Sequence, residues 1–302
     1  MHKCNEGQRA GGRGILEYLH WNISPEIVRI SGPFGIRWYS LFFLTGILLG
    51  HHFFGKMLAR EQKDVELRDP LLTYIFLGTI VGARLGHCLF YNPGYYFQNP
   101  LEILKTWEGG LASHGGFTGV AISLYFFNRN YAVPGFLWLA DRICILAIFA
   151  GASIRLGNFF NSEIIGLPTT VPWAVIFERV DTLPRHPTQL YEAVGYATIA
   201  ALLYLVYLKR AHLKQFIPGS LFGLALTLGF GFRFCIEFLK ENQVDYAESW
   251  TFNTGQWLSI PFVILGALML MGLPQQWLCA LKQPNSVTKV PARKASPRRK
   301  KS

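Results

Sequence analysis

Seven apolar stretches, separated by short polar segments, run along the chain between residues 34 and 273. A helix needs about 20 apolar residues to cross a hydrocarbon core of about 30 Å. The stretches cover residues 34–55, 70–91, 111–127, 135–158, 187–208, 217–239 and 256–273, to within a few positions. The third is short and rich in glycine, so its signal is the weakest. The pattern predicts an all-α fold, a polytopic membrane protein with about seven transmembrane helices.

The polar segments divide the chain into three regions. We expect an N-terminal outer segment at residues 1–33, a transmembrane domain at residues 34–273 and a basic cytoplasmic tail at residues 274–302. Residues 158–186 form the longest outer segment, and they contain the apolar run VPWAVIF and several prolines. Because this segment is too apolar for a solvated linker, it is predicted to be a small outer subdomain or a lid. The first 14 residues lack the apolar core of a removable signal peptide.

Composition supports a membrane location and argues against several other classes. The chain is 51% hydrophobic and 16% charged, whereas a soluble domain has about 25% charged residues. Its net charge of +11 is concentrated in the tail, which is typical of a segment that contacts anionic lipid, so no nucleic-acid partner is expected. The five cysteines form no CxxC pair and the histidines no HxxxH pair, so neither a metal nor another cofactor is predicted.

Charged side chains inside the apolar stretches carry the functional signal. The excess of Lys and Arg, largely in the tail, favours an outer N-terminus and a cytoplasmic C-terminus. In that orientation the outer ends of several spans bring Tyr39, Arg84, His114, Arg155 and Arg233 to one depth, whereas Arg142 lies at the inner side. An unpaired arginine at hydrocarbon depth costs about 2.5 to 3.5 kcal/mol, so each requires a partner or a ligand. Their convergence predicts a site for an anionic head group.

The stretch GASIRLGNFFNSEIIG, residues 151–166, is the centre of this predicted site. Arg155 and Asn158 are three residues apart and share a helical face, and Asn161 and Glu163 follow where the chain leaves the membrane. A cation flanked by amide donors near the water boundary is suited to an anionic head group.

Three further motifs each leave an alternative open. His114 in WEGGLASHGG can take a proton near neutral pH, or it can be a hydrogen-bonded structural residue. Arg233 and Glu237 are four residues apart and can form a structural ion pair instead of contacting a ligand. Arg84, in GARLGHCLFYN, can equally belong to a network that closes the helix bundle.

Together these residues resemble a known family. The order RWYS, GARLGHCLFYN, WEGGLASHGG, RLGNFFNSE, LPRHPTQLYE and FGFRFCIEF is similar to that of the bacterial phosphatidylglycerol:prolipoprotein diacylglyceryl transferases, from about residue 16 to residue 271. The resemblance implies a seven-span enzyme of the bacterial plasma (inner) membrane with its site toward the outer face. It implies transfer of the diacylglyceryl group of phosphatidylglycerol to the lipobox cysteine of a prolipoprotein, which forms a thioether and releases glycerol 1-phosphate.

The resemblance also implies roles for individual residues. The family's essential tyrosine and histidine fall on Tyr39 and His114, and its two principal arginines on Arg155 and Arg233. The polar signature and the residues near it, implied to bind phosphatidylglycerol, fall on Asn158, Asn161, Glu163, Gly166, Arg84 and Glu237. The chain departs from the family pattern at Ser113, Ile154, Ser162 and Lys240, where the family usually has phenylalanine, glycine, glycine and arginine.

The chemistry of the reaction suits these residue types. A thiol with a pKa near 8.5 needs a base, and the phosphate that leaves gathers negative charge. We therefore expect Arg155 and Arg233 to hold the phosphate, His114 to help deprotonate the thiol and Tyr39 to orient the head group. The donor is the phospholipid itself, and the partners are phosphatidylglycerol, a prolipoprotein lipobox peptide and membrane lipid. The alternative is a transporter or flippase for an anionic solute or lipid, which requires polar groups on both sides of the midplane.

Overall fold

Long helices dominate the computed structural model, which describes residues 18–31, 34–213, 217–241 and 253–272. The basic tail and most of the N-terminal segment lie outside the described residues. The helices are α1 (Trp38–Arg60), α2 (Arg68–Phe90), the short α3 (Pro93–Gln98), α4 (Ser113–Asn130), α5 (Phe136–Asn161), α6 (Thr188–Leu213), α7 (Ser220–Ile236) and α8 (Thr254–Leu270).

The helices confirm the predicted polytopic all-α membrane fold. Five of them, α1, α2, α5, α6 and α7, are long and apolar enough to cross a bilayer, and α8 is a shorter apolar helix. The third stretch, whose signal is weak, forms helix α4, but α4 is not among the helices that meet the same criterion of length and hydropathy. The count of seven spans therefore stays a prediction.

Helix α5 lies at the centre of the bundle. It packs against α1, α6 and α7, and α8 packs against α7. One apolar core, which includes Ile145, Leu203 and Leu221, joins α5, α6 and α7. Because three helices surround α5, polar side chains near its two ends are enclosed by protein, and each end holds a polar cluster.

Helices α2 and α4 form a separate, very tight pair. Gly78, Gly82 and Gly86 on α2 face Gly115 and Gly119 on α4, and a Cβ atom added at any of these positions would collide with the facing helix. Small residues at such spacing allow two membrane helices to approach until their backbones touch. The glycines of the third stretch therefore serve helix packing.

A small β-structured head lies at one end of the bundle. Strand β1 (Leu19–Trp21) pairs in parallel with β4 (Val175–Phe177), which pairs antiparallel with β5 (Pro184–Arg185). A second pair, β2 (Glu26–Ser31) and β3 (Phe34–Arg37), leads directly into α1. The sequence predicts a small outer subdomain or a lid here but does not reveal its strands, because strands of two to six residues leave no readable alternation. The sheet joins the N-terminal segment to residues 158–186 in one unit.

The other end of the bundle contains a polar cluster around Arg142. Its guanidinium donates to both carboxylate oxygens of Glu61, at 2.8 Å each from Nη2, and to the carbonyl of Trp138. The indole of Trp138 and the hydroxyl of Tyr207 also donate to Glu61. Asp141, beside it, accepts from the amides of residues 219 and 222 at the start of α7. This cluster ties α1, α5, α6 and α7 together.

Candidate active site

Arg155, one and a half turns before the end of α5, is central to the candidate site. Its side chain is 13% exposed, and Nε lies 3.1 Å from Oε2 of Glu192, a fully buried carboxylate on α6. Nη1 donates to Oδ1 of Asn158 at 3.3 Å. The partner that the sequence analysis required for Arg155 is therefore Glu192, one turn into the next span.

Three side-chain amides converge on Glu163. Nδ2 of Asn158 and Nδ2 of Asn161 donate to the two carboxylate oxygens of Glu163, each at 3.2 Å. Nε2 of Gln189, on α6, donates to the Glu163 carbonyl at 2.7 Å. Arg155 and Asn158, which were predicted to share a helical face, thus form a contact that extends through Asn158 to Glu163 and Asn161.

The loop after α5 has a strained backbone. Ser162 and Ile164 adopt left-handed conformations, with φ of 57° and 56°, which side chains with a Cβ rarely adopt. Thr188 donates to the Ile164 carbonyl at 3.0 Å, and the Gly166 amide donates to the carbonyl of His186. A Cβ on Gly166 would lie 2.5 Å from that carbonyl oxygen. Contacts with the start of α6 therefore hold the loop in a conformation that costs free energy, as is common at functional sites.

Tyr39 lies at the first turn of α1 and faces this network. Its ring packs on Gly157, where an added Cβ would lie 2.8 Å from Cδ2 of the ring. The phenol is within electrostatic reach of Glu163 and Arg155. The glycine of RLGN thus allows α1 to bring Tyr39 beside Arg155.

Arg233 reaches the same network from α7. The hydroxyl of Tyr196 on α6 is close to Arg155, Arg233 and Glu192 together. The ion pair that was considered between Arg233 and Glu237 is not present among the described contacts. Glu237 instead contacts Nζ of Lys240 at 3.1 Å, and Asn253 donates to its carbonyl. The structure therefore brings Tyr39, Arg155 and Arg233 to one place.

Arg84 makes its described contacts with protein groups of the α2–α4 connection. It is buried, and its nitrogens donate to four backbone carbonyls, those of residues 102, 103, 109 and 110. Its guanidinium also lies 5.2 Å from the centre of the Tyr96 ring. These contacts correspond to the bundle-closing alternative for Arg84.

His114 lies apart from the arginine network. It is the second residue of α4, and its exposed ring contacts the rings of Phe90 and Tyr91, with centroids 5.1 and 6.0 Å away. In the part of the chain that the structure describes, no contact joins His114 to Tyr39, Arg155 or Arg233. The histidine therefore belongs to the surface of the α2–α4 pair.

Arg185 holds the β-structured head together. This buried side chain forms an ion pair with Asp181, donates to the carbonyl of Gly166 and lies 3.3 Å from Glu241. The Arg185 guanidinium lowers the pKa of the Asp181 carboxyl, and the Asp181 hydrogen bonds raise the pKa of Arg185. The sequence PRHPTQLYEA, which leads into α6, therefore includes an arginine with a structural role.

Sequence analysis missed the importance of Glu192, Lys240 and Tyr196. Glu192 and Tyr196 were assigned no role, and Lys240 was noted only as a departure from the family pattern. A signal existed, since Glu192 is the one carboxylate in the apolar stretch that follows PRHPTQ. Such a carboxylate inside a span requires a cationic partner.

Several buried acceptors near this network have no hydrogen-bond partner within the described residues. They are Oδ1 of Asn161, Oγ of Ser162, Oε1 of Gln189 and Oε2 of Glu192. On the water side, Asn161 and Glu163 border an open cleft of about 390 Å³ that Glu26, Arg29, Arg37 and Arg179 also line. Because buried polar groups are normally satisfied, these atoms mark a place where a polar ligand or water binds.

Comparison with known proteins agrees with this geometry. A sequence profile described as prolipoprotein diacylglyceryl transferase matches residues 25–272, which include every polar group of the network. The chain belongs to the prolipoprotein diacylglyceryl transferase family.

Relatives from distant bacteria support this family membership. The phosphatidylglycerol–prolipoprotein diacylglyceryl transferase of Tolumonas auensis is 49% identical over 253 residues, which is 84% of this chain and 96% of that protein. The transferase of Chloroherpeton thalassium is 47% identical over 84% of this chain and 93% of its own length. That of Nitrosomonas europaea is 41% identical over 83% and 90%. The resemblance read from the six motifs is confirmed.

Within the described residues, no group of three or more His, Cys, Asp or Glu side chains is arranged to hold a metal ion. That no cofactor takes part in the reaction stays a prediction.

Proposed function

We propose that the chain transfers the diacylglyceryl group of phosphatidylglycerol to the lipobox cysteine of a prolipoprotein, as the names of its relatives indicate. The observation that supports this most strongly is the meeting of Arg155 and Arg233 around Tyr196, with Tyr39 beside Arg155. Two guanidinium groups at one place suit a phosphate, because each presents a planar fork of donors.

The reaction is a nucleophilic substitution at the carbon of the diacylglyceryl group that is bonded to a phosphate oxygen. The cysteine sulfur forms a bond to that carbon and the carbon–oxygen bond to the phosphate breaks, so glycerol 1-phosphate leaves with the electron pair. The thiol proton passes to a base. Arg155 and Arg233 stabilise the charge that develops on the phosphate oxygens, where little water competes.

His114 is the proposed base, and its position apart from the arginines restricts where the peptide can bind. The peptide thiol must lie between the α2–α4 pair and the arginines, with its proton toward His114 and its sulfur toward the lipid. A neutral imidazole can accept that proton. Tyr39 orients the head group from the opposite side, next to Arg155.

The proposed location is the bacterial plasma membrane, with the N-terminus and the site outside and the tail in the cytoplasm. Pairing of β1 with β4 supports an even number of crossings between them, because the two strands must be on one side. Helices α1, α2, α4 and α5 lie between the strands and give four crossings. This parity favours α4 as a span. A tag at Lys289 should be accessible only from the cytoplasm, and a tag accessible from outside would contradict the orientation.

The decisive experiment supplies the purified protein with phosphatidylglycerol and a lipobox peptide. Mass spectrometry should detect the thioether-linked diacylglyceryl peptide and an equal amount of glycerol 1-phosphate. Absence of both products, with folded protein, would contradict the proposed function.

His114→Ala tests the base separately. We expect a loss of about 10²-fold or more in the rate of thioether formation at pH 7, with part of the loss recovered at pH 9, where more of the thiol is ionised. His52→Ala is the matched control, because His52 is an exposed histidine in the second half of α1. A near-normal rate in His114→Ala would remove this histidine from the mechanism.

A further inference from the structure

Lys240 is a buried cation that the proposed reaction does not use. It follows the 3₁₀ turn Glu237–Leu239 at the end of α7, and its side chain is 2% exposed. Its Nζ lies 2.9 Å from Oε1 of Glu192 and 3.1 Å from Oε2 of Glu237. One ammonium therefore joins two carboxylates from different elements in the interior of the protein.

The carboxylate of Glu192 is shared unequally between Lys240 and Arg155. Its Oε1 accepts a hydrogen bond from Lys240 and another from the hydroxyl of Tyr196, at 3.4 Å. Its Oε2 is 3.1 Å from Nε of Arg155, but it accepts no hydrogen bond from the described residues. The carboxylate thus contacts Arg155 from the side and does not form the two parallel hydrogen bonds that are typical of an Arg–carboxylate pair.

This arrangement leaves one end of Arg155 available. Nε faces Glu192 and Nη1 donates to Asn158, whereas Nη2 has no hydrogen bond to any described residue. A guanidinium held on two sides with a third donor open can contact a phosphate without first breaking an internal pair.

We propose that Lys240 is a positioning residue that keeps Arg155 free for the phosphate of the lipid substrate. It does so by holding Glu192, so that this carboxylate does not capture the guanidinium. This inference rests on the proposed function, because it explains how that function's main arginine is kept available.

The charges around the site give the physical reason. The groups that face Glu192 are Arg155 from α5, Tyr196 from its own helix, Arg233 from α7, and Glu237 and Lys240 from the segment after α7. Without Lys240, Glu192 would lose the ammonium that holds its Oε1. Glu192 would then rotate toward Arg155, since a bidentate pair is its strongest remaining contact.

The backbone of Lys240 adds a second link to the site. It forms an antiparallel bridge with Gly166, and Leu167 donates to the carbonyl of Leu239. Lys240 therefore joins the loop that carries Glu163 to the carboxylate that contacts Arg155. The family resemblance implies an arginine here, and a lysine can replace it because its three donors suit two separate carboxylates.

The test compares Lys240→Met and Lys240→Arg with the wild-type protein. Methionine keeps the length of the side chain and removes the charge, whereas arginine keeps the charge. We expect kcat/KM for phosphatidylglycerol to fall by at least about tenfold in Lys240→Met, and KM for the lipobox peptide to stay within about twofold. Lys240→Arg should stay within about threefold of the wild type. Lys209→Met, at an exposed lysine of α6, is the matched control.

Recovery by the conservative variant separates positioning from a merely structural role. Lys240→Arg restores the charge that holds Glu192, so it should recover kcat/KM for phosphatidylglycerol, whereas KM for the lipobox peptide should not differ between the two variants. Folding is checked by the melting temperature in detergent and by size-exclusion chromatography.

Three outcomes would overturn the proposal while the wild type remains active. These are a folded Lys240→Met protein with wild-type kcat/KM, a KM for the lipobox peptide that changes as much as kcat/KM for phosphatidylglycerol, or a Lys240→Arg protein as impaired as Lys240→Met. If Lys240→Met does not fold, Lys240→Gln supplies the same comparison. An inactive wild type would contradict the proposed function itself.

Discussion

The two ends of α5 hold two polar clusters that differ in how completely they are satisfied. At one end, Arg142 is 1% exposed and donates repeatedly to Glu61, which also accepts from Trp138 and Tyr207. At the other end, Arg155 makes one lateral ion pair and one long hydrogen bond, and nearby acceptors have no described partner.

The difference indicates which cluster binds a substrate. A satisfied cluster has no capacity for a ligand, and it fixes the relative positions of the helices that it joins. A partly satisfied cluster costs stability and retains binding capacity. The cluster around Arg142 is therefore structural, which also weakens the transporter alternative, because a solute would need free polar groups at both ends.

The largest expected effect comes from breaking the satisfied cluster. Glu61→Ala leaves the buried charge of Arg142 without its main partner, so we expect the protein to lose about 3 to 5 kcal/mol of stability. The measurement is the melting temperature in detergent, with Glu66→Ala as the control at an exposed carboxylate in the same connection. A melting temperature equal to that of the wild type would show that Arg142 does not depend on Glu61.

The corresponding change in the partly satisfied cluster around Arg155 should affect the transfer rate more than the stability of the protein. Arg155→Ala removes a charge that stabilises the leaving phosphate, and we expect the transfer rate to fall about 10² to 10³-fold, or about 2.7 to 4 kcal/mol. The melting temperature should change less than in Glu61→Ala. If Arg155→Ala instead unfolded the protein without a specific loss of rate, the two clusters would not differ in role.

A smaller effect is expected from the ion pair between Arg185 and Asp181 in the β-structured head. The pKa of Asp181 is lowered by Arg185, so their ion pair stabilises the fold at pH values above about 4, near the ordinary value for aspartate. This stabilisation is lost as the pH falls through the lowered pKa. The difference in melting temperature between the wild type and Asp181→Asn should therefore be present at pH 6 and diminish as the pH falls below about 4. A difference that stayed constant as the pH fell through this range would contradict the ion pair as its cause.

The smallest effect concerns the strained loop. Ser162 has a left-handed backbone and a buried hydroxyl without a described partner, so Ser162→Gly should stabilise the protein by about 1 kcal/mol. Ser153→Gly, within α5, should instead destabilise by about 0.5 to 1 kcal/mol. Equal effects of the two variants would contradict the role of backbone strain at Ser162.

Much of the helical fold could be predicted because membrane spans are long and their apolar pattern is strong. The starts of α6 and α7 lie within a few residues of the predicted stretches, and the polar groups in and beside α5 indicated its importance. The strands of the head could not be predicted, since β1 and β4 pair across more than 150 residues and neither has more than three residues.

The candidate site was predictable only in part. Depth along a span can be estimated from sequence, so Tyr39, Arg155 and Arg233 were expected at one level. Lateral position around the bundle depends on helix packing, and for that reason the separation of His114 from these residues could not be foreseen. Pairing inside the site, such as that of Glu192 with Lys240, depends on the same packing.

The glycine contacts between α2 and α4 determine how His114 can move. The two backbones touch at Gly82 and Gly115 and again at Gly78 and Gly119, which leaves no room for one helix to slide along or rotate against the other. If His114 moves toward Arg155, we therefore expect α2 and α4 to move together.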